Sequence, residues 1–278
     1  MSAADIHRVT RRTFLTEVSR GVFAVVILGT GVVAACSTTN DEPSTTSGEE
    51  TPTSGADPTT STTAKEPTTT EASAAGGVTV QRIALGNVAA YLLVRGTEAV
   101  IVDTGNPGAA DDIEAGLSEV GLGWSDVGDV ILTHRHPDHV GSLGPVMDNA
   151  AQALGYAGEA DLPVINAPRP LNPVGDGDTV FGLSIIETPG HTEGSISVYD
   201  PIAGVLVVGD AMNGKGGGVP GDASGVTGAN PRFTSDMDVA AESIKKLAGL
   251  DYGSLYFGHG EPLEGNASQL VAELAGEL

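Results

Sequence analysis

THRHPDHVG, Thr133–Gly141, packs three histidines and an aspartate into the six residues from His134 to His139, in a chain that has six histidines in all. Four titratable side chains have no common place in an apolar core without partners, because each carries a desolvation cost. A cation would partner all of them at once. His134 and His136 stand two apart after an apolar run. In extended backbone, residues i and i+2 point to the same side, so both imidazoles can grip one ion. Pro137 then bends the chain and leaves Asp138 and His139 within reach of a second.

Working outward, Val78–Leu85, Ala89–Val94 and Ala99–Val102 read as strands, the first two joined by a Gly86-Asn87 turn. A helix is expected from Pro107 to about Val120, with Gly121 as its stop. Asp129–Leu132 reads as a short strand feeding the histidine loop, and a helix is expected over Leu143–Leu154. Further strands are expected at Pro163–Asn166, Thr179–Glu187, Ser195–Tyr199, Val205–Val208 and Leu255–Phe257. Met237–Leu247, capped by Ser235 or Asp236, and Ala267–Leu274 read as helices. Asp103, His134, His191, Asp210 and His259 all fall where an apolar run or a Pro-Gly turn ends. Strand ends along one edge of an α/β fold converge on a common site.

Taken in order, HxHxDH at His134–His139, His191 in TPGHTEGS, Asp210 in VVGDAM and His259 in YFGHGEP resemble the metallo-β-lactamase superfamily over nearly all of Val78–Leu278. The resemblance implies an α/β fold, an αββα four-layer sandwich, with two divalent metal ions at one edge. His134, His136 and His191 would hold the first, and Asp138, His139 and His259 the second. Asp210 would bridge them, and Asp138 and Asp210 are the candidate catalytic carboxylates. Asp103, in a DTG turn, matches a supporting aspartate that orients the histidine loop from behind the ligands. Imidazole and carboxylate without sulfur suit Zn²⁺ first, with Fe or Mn also at home.

The expected activity is hydrolysis of an ester, thioester, lactone or related amide by hydroxide bound between two metals. An aspartate at position 210 resembles the glyoxalase II, lactonase and general hydrolase branches, where many true β-lactamases carry cysteine or serine. Quorum-signal lactonases have a tyrosine shortly after that aspartate, and this chain has Met212 and Asn213. Two alternatives stand beside this: a mononuclear iron persulfide dioxygenase, and a non-catalytic tethered binding lipoprotein. The glycine-rich stretch over residues 211–233 is expected to form a mobile rim. In it Lys215 or Arg232 could meet a substrate carboxylate, against the plainer reading of a solvated loop. Trp124, the single tryptophan, reads as a core or rim residue.

The N-terminal third is different in kind. Residues 1–36 combine TRRTFL, the apolar run Gly21–Ala35 and Cys36. This resembles a twin-arginine export signal ending in a lipobox, with Cys36 as the lipidated residue. Residues 37–77 are rich in Thr, Ser, Pro and Glu and read as a disordered tether. Residues 78–278 are the expected catalytic domain. The chain is therefore expected to be exported and tethered to the outer face of the cytoplasmic membrane, with no membrane contact beyond the lipid anchor. Cys36 is the only cysteine, so no intrachain disulfide and no thiolate chemistry are available. A net charge of −23 disfavours nucleic-acid phosphates as partners. The expected partner is a small-molecule substrate.

Overall fold

The computed structural model describes residues 76–219 and 225–278. Cys36, the signal, nearly all of the tether and residues 220–224 lie outside the described residues.

Two six-stranded sheets form the centre. The first has the order β1-β2-β3-β4-β5-β6, with β1 at Thr79–Leu85, β2 at Val88–Arg95, β3 at Glu98–Val102, β4 at Val127–Leu132, β5 at Leu154–Gly158 and β6 at Asn172–Val174. The second has the order β14-β13-β10-β9-β8-β7. Its strands are β7 (Thr179–Val180), β8 (Leu183–Glu187), β9 (Ile196–Asp200), β10 (Val205–Val207), β13 (Ser254–Tyr256) and β14 (Leu263–Glu264). A small sheet pairs β11 (Met212–Gly214) with β12 (Val226–Gly228).

Period-two alternation puts the central strands of the first sheet in two cores at once. Ala90 and Leu92 of β2 and Ala99 and Ile101 of β3 face outward, onto helices α1 (Ala110–Glu119) and α3 (Leu143–Asn149). Their neighbours Tyr91, Leu93, Val100 and Val102 face inward, against Leu183, Ile185, Val198 and Val207 of the second sheet. A third cluster packs Leu206 and Leu255 against Ile244 and Leu247 of α4 (Met237–Leu247) and Val271 of α5 (Ala267–Ala275). Helix, sheet, sheet, helix is the four-layer sandwich the motifs implied.

Direction matters more for the site than layering. β3 and β4 are parallel. β8 and β10 both pair antiparallel with β9, and β10 is parallel to β13. All five strands that precede a candidate residue thus run with their own sheet's partners, and their C-terminal ends open together.

The expected helix over Leu143–Leu154 ends at Asn149, and Leu154 begins β5 instead. Leu154 and Gly155 pair with Asp129 and Val130 of β4, and Gly155 leaves no room for a side chain against Met147 and Leu171. Pro163–Asn166 is not a strand; Leu162–Val164 makes one 3-10 turn. Thr179–Glu187 is not one strand but a hairpin, turning at Phe181 and Gly182, whose φ values are 55° and 72°. The first helix starts at Ala110, not at Pro107. Asp236 is the cap of α4, accepting from the backbone of Asp238 and Val239. The rim segment is ordered at both flanks, as β11 and β12, with Asn213 buried. Trp124 opens a 3-10 turn and packs partly buried on the outer core of the first sheet.

Leu92 is fully buried at the centre of the outer core. Leu92→Ala is expected to cost about 2–5 kcal/mol. The loss would appear as a lower urea midpoint with an unchanged slope.

Candidate metal centre

Each ligand-type side chain arrives by a short, defined route. His134 follows β4 directly. Pro137 opens the one-turn helix α2, Pro137–Val140; this buries His139 fully and leaves Asp138 at the cavity wall. His191 follows β8, Asp210 follows β10 and His259 follows β13. Backbone bonds tie the two sheets together at this edge: Ile196 N–H donates to Thr133 O at 2.8 Å, and Ala89 N–H to Gly258 O at 2.9 Å.

The side chains converge. His136 Nδ1 lies 3.1 Å from His134 Nε2 and 2.9 Å from His191 Nε2. Asp210 stands between groups: Oδ1 is 3.3 Å from His139 Nε2, while Oδ2 is 3.4 Å from His191 Nε2 and 3.3 Å from His259 Nε2. Asp138 Oδ2 is 3.3 Å from His259 Nε2. Three sets could hold an ion: His134 with His136 and His191; His134 with His139 and Asp210; Asp138 with His139 and His259. All seven side chains named as metal ligands from the sequence are therefore brought together.

The far sides of the rings fix which nitrogen faces inward. His139 Nδ1 donates to Asp103 Oδ2 at 2.8 Å. The Thr133 hydroxyl donates to the same oxygen at 2.7 Å and so accepts from His134 Nδ1 at 3.1 Å. Thr234 donates to Asn230 O and accepts from His191 Nδ1 at 3.2 Å. His259 Nδ1 donates to the Asn87 carbonyl. Four rings thus turn Nε2 toward the centre, the orientation a metal ligand needs.

Two of the inward atoms, His139 Nε2 and Asp210 Oδ1, are buried and face each other at 3.3 Å without forming a hydrogen bond. A buried polar atom left so is costly, and a cation between them would satisfy both. The spacing agrees: ligands at about 2.0–2.1 Å around a tetrahedral Zn²⁺ stand about 3.3 Å from one another. Gly258 keeps the space open, since a β-carbon there would collide with Asp210 Oδ1 and His139 Cε1. The donor set fits a divalent metal.

Electrostatics divide the rings. Burial pulls His134 well below the ordinary imidazole range, lowers His136, and brings His191 down to about 4. Burial acts downward on His139 too, yet attraction by Asp210 and Asp103 wins and holds it well above that range. His259 is likewise raised to about 10, against burial, by its contacts with Asp138 and Asp210. Burial would raise Asp210, but His139 and His259 keep it well below the usual carboxylate range.

Asp103 lies behind the seven converging side chains. It adopts φ 61°, a left-handed conformation that aspartate tolerates better than most residues. Oδ1 accepts from Thr133 N–H at 2.7 Å, which locks the first residue of the histidine loop. Sequence reasoning missed Thr133, Thr234 and Asn87 as orienting groups. Thr133 adjoins His134 and was open to notice; the Asn87 contribution is a carbonyl, which no side-chain pattern reveals. Arg232 lines the cavity above the site, and Lys215 is not among the lining residues.

Asp103→Ala removes the partner of His139 and the anchor of Thr133 together. It is expected to weaken divalent-metal uptake by about 10–100-fold, read by competition with a chromophoric chelator. Unchanged uptake would contradict the orienting role.

Comparison with known proteins agrees with this geometry. The family model described as the metallo-beta-lactamase superfamily matches residues 83–259. YobT of Bacillus subtilis (strain 168) is 28% identical over 210 residues, covering 67% of this chain and 89% of its own. The probable metallo-hydrolase YflN of the same organism is 30% identical over 218 residues, covering 64% of this chain and 82% of its own. The crystal structure of TTHA1623 in a di-iron-bound form superposes with a TM-score of 0.55 at 25% identity, covering 69% of this chain and 95% of that one. This chain belongs to the metallo-beta-lactamase superfamily.

Proposed function

We propose that this chain is a metal-dependent hydrolase that holds two divalent ions and cleaves an ester, thioester, lactone or related amide. The observation that carries this reading is the convergence of five imidazoles and two carboxylates, of which His136, Asp138, Asp210 and His259 line a cavity of about 600 Å³. Behind its wall, His139 Nε2 faces Asp210 Oδ1, both buried and without hydrogen bonds. His134, His136 and His191 would hold one ion, Asp138, His139 and His259 the other, with Asp210 shared. Bound divalent cations lower the pKa of coordinated water to about 7 and stabilise charge that develops on the scissile group.

The chain's own residues supply position and shape. Asp138 lines the cavity beside His259 and is placed to accept a hydrogen bond from the attacking water. Asn87, Asn106, Asn213 and Asn230 also line it, offering neutral donors and acceptors to a polar substrate. Among the described residues that line it, Arg232 is the one lysine or arginine. Phe233 beside it is 61% exposed and can cover an apolar substituent. A relative named as a probable metallo-hydrolase supports the reaction class.

The test is a panel of esters, thioesters, lactones and β-lactams, assayed with the wild-type chain and with His136→Ala. Turnover of one class is expected, with a loss of at least about 100-fold in the variant, the scale of removing an electrostatic stabiliser of the transition state. It should also be lost reversibly on chelation. Wild-type turnover in His136→Ala would contradict the proposed site.

Export and anchoring belong to the same reading. The twin-arginine stretch would carry the domain out already folded, so that ions are loaded before export, and Cys36 would carry the lipid. Replacing Arg11 and Arg12 together by lysine is expected to leave the chain in the cytoplasm, read by cell fractionation. Unaltered export would contradict it.

A further inference from the structure

Asp161 has no place among the seven ligand-type residues or their orienting partners described above. It follows β5 and is fully buried. A carboxylate has two oxygens and about four lone-pair positions to fill. Here four donors fill them. Oδ1 accepts from Arg135 Nη1 at 2.6 Å and from Gly194 N–H at 3.1 Å. Oδ2 accepts from Arg135 N–H at 2.9 Å and from the Thr192 hydroxyl at 2.7 Å.

The origin of those donors is the point. Arg135 lies between His134 and His136. Thr192 and Gly194 follow His191 directly. Every acceptor position of Asp161 is therefore used on the two loops that carry the three-histidine group, and none on its own neighbours. Successive side chains in extended backbone alternate, so drawing Arg135 to one side turns His134 and His136 to the other. The contact is tight: a β-carbon on Gly194 would lie 2.6 Å from Asp161 Cγ, and one on Gly158 would strike the Gly194 carbonyl. Arg135 also reaches the exposed Glu193 at 2.6 Å, which adds a second, solvent-side tie between the same loops. By contrast, Asp138, His139 and His259 draw no hydrogen bond from this network.

We infer that Asp161 is a positioning residue that clamps the His134–His136 loop to the His191 loop, preforming one of the two ion sites and leaving the other untouched. This rests on the metal-binding reading above. A residue that merely helps the domain fold would weaken both sites alike; a clamp on two loops weakens one.

The test uses the full chain freed of metal, with Zn²⁺ uptake read by competition with a chromophoric chelator. Asp161→Asn keeps the volume and removes the charge. In a His259→Ala background, where the three-histidine group stays whole, it is expected to weaken uptake by about 10–100-fold. In a His191→Ala background, where Asp138, His139 and His259 stay whole, the change is expected to remain within about threefold, far from the loss an orienting partner causes. Equal losses in the two backgrounds, or no loss in either, would overturn the inference. Thr192→Val removes one of the four donors and should give the same split at smaller size, which keeps the test open if Asp161→Asn does not fold. A wild-type chain that takes up no zinc would overturn the metal reading itself. A wild-type chain that takes it up, beside an unaffected Asp161→Asn, would overturn the clamp alone.

Discussion

Two carboxylates set among five imidazoles, with neighbouring nitrogen and oxygen atoms 2.9–3.4 Å apart, call for positive charge among them. That constraint organises the rest of the molecule. Four of the rings spend Nδ1 on an oxygen behind them, which leaves Nε2 free to face inward. Asp103 achieves this for His139 directly and for His134 through Thr133. The polar groups behind the site are consequently satisfied, while two of those in front are not. His139 Nε2 and Asp210 Oδ1, buried and without hydrogen bonds, are what such an arrangement leaves for a cation.

The sandwich serves this centre through strand direction. Neither sheet alone carries the full set: Asp103 and the His134–His139 loop belong to the first, and His191, Asp210 and His259 to the second. The apolar layer between the sheets, built by Tyr91, Leu93, Val100 and Leu183 among others, fixes how the two halves meet. Tyr91 contributes twice, since its hydroxyl also donates to the Phe257 carbonyl in the segment leading to His259. Packing in the middle layer is thereby coupled to ligand geometry at the edge.

Much of this was legible in the sequence because ligand chemistry is local. HxHxDH names its own purpose, and apolar runs ending in Asp or His mark strand ends. The seven ligand-type residues and Asp103 could be read from such patterns, and they meet in space. What was not legible depends on contacts across the fold. The helical pattern over Leu143–Leu154 stops at Asn149, and Leu154 and Gly155 pair with β4 in the sheet. The Phe181-Gly182 turn takes positive φ at a phenylalanine, where no turn signal would place it, with Arg95 donating to the Phe181 carbonyl. Asp161 reaches partners 26 to 33 residues away, so no spacing rule could expose it. Local chemistry announces itself in sequence, whereas support for that chemistry is assembled by the fold.

The most direct measurement is the metal content of the full chain, purified without added metal and analysed by mass spectrometry alongside protein concentration. The seven converging side chains, with Asp210 between two groups, predict about two divalent ions per chain. A chain that carries no divalent ion, and takes none up when it is offered, would contradict the account at its centre.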